Sequence, residues 1–272
     1  MTSAAPFAAD RRPPWLIGMV HLRPLPGSPR FGGSLEEVLD AATADLNTLV
    51  EGGADGAIIE NFGDAPFYPD HVPPATVAAM TAASALLRAL VPDKFLLGIN
   101  VLRNDAGASM AIASVVGASF IRVNIHVGAA VTDQGIITGM AHETLRLRAS
   151  LGRRVSILAD VGVKHAIPLG ERSVEAEALD AVERGLADGI LLTGARTGEP
   201  VDERRLISVR RAIPGVPLLA ASGVTPENVR SLARHCDGFV VGTWLKRDGK
   251  IGESVDVERV RTLSGSLRRA RA

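Results

Sequence analysis

Between Pro217 and Lys246 two short apolar runs, Leu218–Ala221 and Phe239–Val241, flank a single amphipathic segment. Each run is too short for a helix and ends in a small turn, Ser222-Gly223-Val224-Thr225-Pro226 and Gly242-Thr243. The segment between them reads as a helix from about Pro226 to His235, with Thr225 as N-cap and Pro226 at the first helical position. Strand, helix and strand joined by short connections form a right-handed parallel βαβ unit. Both glycine turns then lie at the carboxyl ends of parallel strands. There Ser222, Gly223, Gly242 and Thr243 offer backbone N–H groups and hydroxyls to an anion without a bulky side chain in the way.

The same unit recurs along the chain. Trp15–Val20, Gly56–Glu60, Phe95–Asn100, Ser119–Asn124, Val155–Asp160 and Gly189–Thr193 read as six earlier strands, each followed by a loop and a helical pattern. Ser34 with Glu37 three residues on forms a capping box for the first helix. The strands show little period-two alternation, as expected of parallel strands buried on both faces. Four helices end in similar turns, GGADG at Gly52, GAS at Gly117, LADG at Leu186 and HCDG at His235. These helix-to-strand turns are short, whereas several strand-to-helix loops are long and polar, an asymmetry that places function on one face. The fold expected is α/β, a single (β/α)8 TIM barrel over residues 15–266. A loose tail at 1–14 and a basic tail at 267–272 flank it. An open doubly wound sheet is the competing fold, and closure between the first and eighth strands separates the two.

With 272 residues and formally balanced charge, the chain has room for one large core or two small ones and no electrostatic footprint for nucleic acid or an anionic membrane. No apolar run approaches the ~18 residues of a spanning helix, and no secretory signal pattern opens the chain. A single cysteine, Cys236, excludes an intrachain disulfide and fits a cytoplasmic protein. A self-associating barrel is compatible with all this, but the sequence does not set the oligomeric state.

If the barrel closes, polar residues converge at the strand ends: His21, Glu60, Asn61, Asn100, Arg122, Asn124, Asp160, Thr193 with Gly194, Ser222 and Gly242. Glu60 and Asp160 are candidate acid–base residues, since a carboxylate at a strand's carboxyl end is open to pKa tuning. The plainer reading makes them loop caps. Lys164 and His165 follow Asp160 in DVGVKHA. Lys164 lies four residues past the strand end, which favours gripping an anion over forming a Schiff base. His165 serves either as an acid–base group or as a loop hydrogen bonder. His21 and His126 lack the companions zinc needs. A Mg²⁺ shared between Glu60 or Asp160 and a substrate phosphate is the metal reading that fits best. Asn100, Asn124, His21 and Thr193 would orient a substrate. Nucleotide-fold glycine fingerprints and a GxSxG nucleophile motif are both absent.

The stretches GMVHLRPLPGSP (Gly18–Pro29), GGADGAIIENFGDAPF (Gly52–Phe67), GINVLRND (Gly98–Asp105), FIRVN (Phe120–Asn124), DVGVKHA (Asp160–Ala166), ADGILLTGARTGEP (Ala187–Pro200) and SGVTPENV (Ser222–Val229) resemble the BtpA/SgcQ family over about Ile17 to Leu263. That family is similar to ribulose-phosphate-binding barrels, which implies a barrel fold and a phosphate site. Its name comes from a link to photosystem I biogenesis, but no residue pattern here speaks for chlorophyll or a membrane. The expected function is an enzyme acting on a small phosphorylated sugar or phosphoribosyl compound by isomerase, lyase or nucleosidase-like chemistry. The alternative is a non-catalytic assembly or stability factor on a barrel scaffold.

Overall fold

The computed structural model describes Phe7 and residues 14–163, 166–194 and 201–271. Among the described residues the chain order runs β1 (Trp15–His21), α1 (Leu35–Glu51), β2 (Gly56–Glu60), α2 (Pro74–Ala89), β3 (Leu96–Asn100), α3 (Ala106–Val116) and β4 (Phe120–Val123). It continues with β5 (Ala129–Thr132), β6 (Gly135–Thr138), α4 (Ala141–Ser150), β7 (Ser156–Val161), β8 (Ala166–Pro168), α5 (Val174–Leu179) and β9 (Gly189–Thr193). The last elements are α6 (Glu203–Ala212), β10 (Leu218–Ala221), α7 (Val229–Leu232), β11 (Gly238–Val241) and α8 (Val257–Arg271).

Eight of these strands, β1, β2, β3, β4, β7, β9, β10 and β11, are parallel and close into a barrel. Closure lies between β1 and β11, where Trp15 pairs with Gly238 and Gly18 with Val241, so the open-sheet alternative is excluded.

The helix ends follow the local chemistry. The Ser34 hydroxyl accepts from the Glu37 N–H to start α1, and the Asp105 carboxylate accepts from the Ala108 N–H to start α3. Gly117 ends α3 at φ 74°, a left-handed conformation that costs glycine little.

The repeated Asp-Gly turn has a structural reason. Asp55, Asp188 and Asp237 each sit just before a barrel strand and accept the backbone N–H of the neighbouring strand's residue, Leu16, Ile157 and Leu218, at 2.8 Å. Their own N–H groups donate to the carbonyls of the same residues. Arg148 and Arg210 from the helices close two of these pairs. The device satisfies strand-end donors at the amino-terminal rim, where an unpaired buried N–H costs about 1–3 kcal/mol.

Residues two apart on each strand share a face. Trp15, Ile17 and Met19 on β1, Ile58 on β2, Phe120 on β4, Leu158 on β7, Leu191 on β9 and Val240 on β11 fill the barrel interior. The alternate positions pack against the helices. Gly98 on β3 makes room for Phe120, because a Cβ there would lie 2.3 Å from the phenyl ring.

Several expectations need correcting. Within segment 1–14, expected to be loose, Phe7 is buried and meets Trp15 and Phe120 edge-on with centroids 5.3 and 5.1 Å apart. Both partners open their strands, so Phe7 plugs the amino-terminal end of the barrel. The residues after 266 continue α8 to Arg271, with Leu267 buried.

The expected helix from Pro226 to His235 is a single turn, Val229–Leu232. The Asn228 amide accepts from the Thr225 N–H and donates to the Gly223 carbonyl, which holds 223–228 as a turn. The loops after β4 and β7, expected to be irregular, build an antiparallel sheet in the order β6-β5-β8. Thr138 closes the β5–β6 hairpin opposite Ala129.

Candidate functional site

The inward alternation that fills the barrel with apolar side chains ends in a polar layer. One step above Met19, Ile58, Phe120, Leu158 and Leu191 come His21, Glu60, Arg122, Asp160 and Thr193. Asn100 lies two residues past Gly98 on β3, and Asn124 two past Arg122. Their convergence is therefore set by strand register.

Arg122 is the centre of this layer. Its Nε and Nη2 donate to Asp160 Oδ1 and Oδ2 at 2.9 and 2.8 Å, a fork-to-fork pair, and its Nη1 lies 3.6 Å from Glu60 Oε2. The Asn100 amide donates to the same Glu60 oxygen at 2.6 Å, and the Asn124 amide to Asp160 Oδ2 at 3.1 Å. His21 Nε2 lies 3.7 Å from Glu60 Oε1, and its ring stacks on Phe62 at 4.6 Å. Burial acts to lower the pKa of Arg122, but the charge and hydrogen bonds of Asp160 and the charge of Glu60 outweigh it and hold the guanidinium firmly protonated. Burial lowers the pKa of the nearby Arg103, against the pull of Asp160.

Above this layer opens a cavity of about 870 Å³. Glu60, His21, Arg122 and Asn124 form part of its floor, and Ser222, Gly223, Gly242 and Thr243 line one side. Ser222 has φ 78° and Gly223 φ 57°. A left-handed non-glycine residue is strained by about 1–3 kcal/mol, and such strain clusters at functional sites. A Cβ at Gly242 would lie 3.2 Å from His21 Cε1, a tight contact to which the imidazole would have to yield by a few tenths of an ångström. Asn124 Oδ1 is buried with no hydrogen-bond partner among the described residues, because its amide nitrogen is committed to Asp160. A buried acceptor left open beside a cavity is a place for a ligand's donor.

Other expected site residues sit elsewhere. Asp160 does not line this cavity: its side chain is fully buried, and the residue borders a second cavity of about 730 Å³ that it shares with Asn124 and His126. Thr193 is turned away, its hydroxyl donating to the Gly162 carbonyl at 2.7 Å, and the Gly194 N–H donates to the Ala221 carbonyl. Asn100 does not line the cavity; its amide donates to Glu60. Lys164 and His165 lie outside the described residues. His126 is buried, with Nε2 2.8 Å from the Gly185 carbonyl. With the turn 223–228 in place of a longer helix, no α-helix starts directly after β10, and on the glycine side of the cavity a single 3-10 turn, Thr243–Leu245, starts at Gly242. Among the described residues no three His, Cys, Asp or Glu side chains gather as metal ligands, and the guanidinium of Arg122 occupies the space between Glu60 and Asp160. These residues do not fit a metal held by the two carboxylates.

Sequence reasoning missed the aromatic lining, Phe62, Phe67 and Trp244, and the contribution of Arg103. It noted Arg122 at a strand end without giving it a role. An arginine two residues beyond an inward phenylalanine was the available signal.

A closed barrel with a polar layer and glycine turns at its carboxyl-terminal mouth defines the class: a (β/α)8 barrel protein with a cavity at that mouth. The BtpA family model matches residues 12–269, and the chain belongs to that family. It is 49% identical over 245 residues to the photosystem I biogenesis protein BtpA of Synechocystis, covering 90% of this chain and 85% of that one. Among solved structures, thiamine phosphate pyrophosphorylase from Pyrococcus furiosus has the same fold, with TM-score 0.61 and 15% identity over 96% of this chain and 98% of that one. KGPDC from Streptococcus mutans matches with TM-score 0.59 and 14% identity over 96% of this chain and 100% of that one. Among the described residues no helix is long and apolar enough to cross a membrane.

Proposed function

We propose that the chain is an enzyme acting on a small phosphorylated compound bound in the barrel mouth. One observation carries this reading. A buried, mutually paired cluster of His21, Glu60, Asn100, Arg122, Asn124 and Asp160 adjoins a cavity whose other side is made of strained and glycine turns. A structural cap does not require six converging polar groups, and burying them is costly unless each is paired.

In this reading the N–H groups and hydroxyls of Ser222, Gly223, Gly242 and Thr243 hold the phosphate. Glu60 borders the cavity, so it exchanges the proton with the substrate. Asp160, with both oxygens held by Arg122, is a positioning residue that fixes the guanidinium as a standing positive charge beside the reacting atoms. Asn124 Oδ1 accepts from a substrate hydroxyl, and His21 orients Glu60. Isomerisation, carbon–carbon cleavage and N-glycosidic cleavage all use a carboxylate beside a fixed phosphate, and the proposal spans them. One solved protein of this fold, thiamine phosphate pyrophosphorylase, is named for a phosphate ester, which agrees with the reading.

The test is a thermal-shift panel of sugar phosphates, each paired with its dephosphorylated form. A one-site ligand at 100 times its Kd stabilises by about 2.7 kcal/mol. For a chain of this size that is a shift on the order of 5–10 °C. A phosphate-dependent shift abolished by Gly242→Asp is the expected result. Shifts that ignore the phosphate would sink the reading.

A second reading, the non-catalytic assembly factor, has one observation on its side. Val131, Ile136 and Ile167 lie side by side across the antiparallel sheet and are 41%, 63% and 72% exposed. A contiguous apolar face of this kind suits a protein partner. A phosphate panel without a single stabilising compound would favour it.

A further inference from the structure

The cavity is not uniformly polar. Of the ten aromatic residues in the chain, three, Phe62, Phe67 and Trp244, line it. Two come from the loop after β2 and one follows β11, the two strands that flank β1, so they share one sector of the mouth. All three are half-buried. Phe62 is held by its stack on His21, and Trp244 by the Arg259 guanidinium 4.5 Å from its ring centroid and by the Arg259 Nε donating to its carbonyl. Leu102 and Ile251 add to the apolar lining.

Resting on the phosphate reading above, we propose that the substrate is a phosphate ester carrying a flat, weakly polar ring, with a hydroxylated linker between the two. A pentose phosphate presents oxygen nearly all round. It would leave the aromatic sector facing water, and in a cavity of about 870 Å³ it would fill a minor part of the space. A ring of aromatic or heteroaromatic character buries the apolar sector and gains the offset or edge contacts that aromatic pairs favour. The three chemistries of the cavity then match three parts of one molecule. The turns at Ser222-Gly223 and Gly242-Thr243 take the phosphate. The open acceptor of Asn124 and the cavity-facing edge of Glu60 take hydroxyl donors of the linker. Phe62, Phe67 and Trp244 take the ring.

The experiment compares ribose 5-phosphate, three ring-bearing 5′-phosphates (uridine and adenosine monophosphates and nicotinamide mononucleotide) and uridine. Titration calorimetry and quenching of tryptophan fluorescence read the binding. Trp244 is the tryptophan in the cavity, Trp15 being buried at the far end of the barrel. At least one ring-bearing phosphate is expected to bind tenfold or more tightly than ribose 5-phosphate and to quench Trp244. Phe67→Ala should bring its affinity down to that of ribose 5-phosphate, and Trp244→Leu should remove the quench. Ribose 5-phosphate binding as tightly as all three would overturn the ring while leaving the phosphate reading intact. Uridine binding as well as its monophosphate would overturn the phosphate reading instead. If none of the five binds, both are overturned.

Discussion

Arg122 and Asp160, on the adjacent strands β4 and β7, are joined by two parallel hydrogen bonds of 2.9 and 2.8 Å inside the barrel. The pair is almost wholly withdrawn from water, and Glu60 supplies a second negative charge at 3.6 Å. Removing Asp160 would strand the buried Nε and Nη2 donors of Arg122 and leave the guanidinium only its longer contact with Glu60. Asp160→Ala is therefore expected to destabilise the fold by about 3–5 kcal/mol, read from the urea midpoint. Arg122→Lys keeps the charge but loses the fork. It should fold, still bind a phosphorylated ligand at the glycine turns, and lose turnover; full turnover would remove Arg122 from the chemistry. Asp160→Asn is expected to abolish turnover while the protein remains folded.

Lys246 and Asp45 form a second buried pair, remote from the polar layer. Lys246 Nζ donates to Asp45 Oδ2 at 2.6 Å, and the Val255 N–H donates to Asp45 Oδ1 at 2.7 Å. The pair ties the segment after β11 to α1. Lys246→Met should cost about 3–5 kcal/mol by stranding the carboxylate. Adding Asp45→Leu should recover only part of this, because the Val255 N–H is then left unpaired at about 1–3 kcal/mol. Thermal unfolding of the two variants checks the order. A double variant as stable as the native chain would show that the Val255 contact contributes nothing.

His126 makes stability depend on pH. Burial lowers its pKa below the ordinary value, against the hydrogen bond to the Gly185 carbonyl, with the charge of Arg148 lowering it further and that of Asp188 raising it. The neutral ring is the one the fold accepts. Its contribution is complete above the unfolded pKa of about 6.5. It is lost as the pH falls below that value toward the lower folded pKa. The urea midpoint should therefore drop between pH 7.5 and pH 5.5, and His126→Gln should flatten that drop. An unchanged slope in the variant would assign the pH dependence elsewhere.

Phe7 plugs the amino-terminal end of the barrel through edge contacts with Trp15 and Phe120. Phe7→Ala is expected to cost about 3–5 kcal/mol if the cavity does not collapse, seen as a lower melting temperature. The site lies at the opposite end of the barrel, so ligand affinity at a temperature where the variant is folded should stay the same.

Much of the fold was legible because parallel strands buried on both faces leave short apolar runs bounded by glycine and polar turns. The eight barrel strands fall where those runs are, and α1 starts where Ser34 predicts it; Asp105 and Asp202 cap α3 and α6 in the same way. The antiparallel sheet was missed because its strands are three or four residues long and half exposed. The runs AAVT and GIIT around Asp133-Gln134 were the available hairpin signal. The short α7 was missed because Thr225-Pro226 is a good helix start in isolation, whereas the Asn228 amide offers the same backbone groups a turn.

Local sequence thus determined which residues stand at the strand ends, since that depends on neighbours in the chain and on the two-residue period of a strand. Which of them face one another was decided by the tertiary structure alone. Barrel closure and register bring Arg122 between Asp160 and Glu60, positions separated by 38 and 62 residues, and turn Thr193 toward Gly162 rather than the cavity. A charge acquires its role from the groups that compensate it in a low-dielectric interior, and those partners are chosen by the fold.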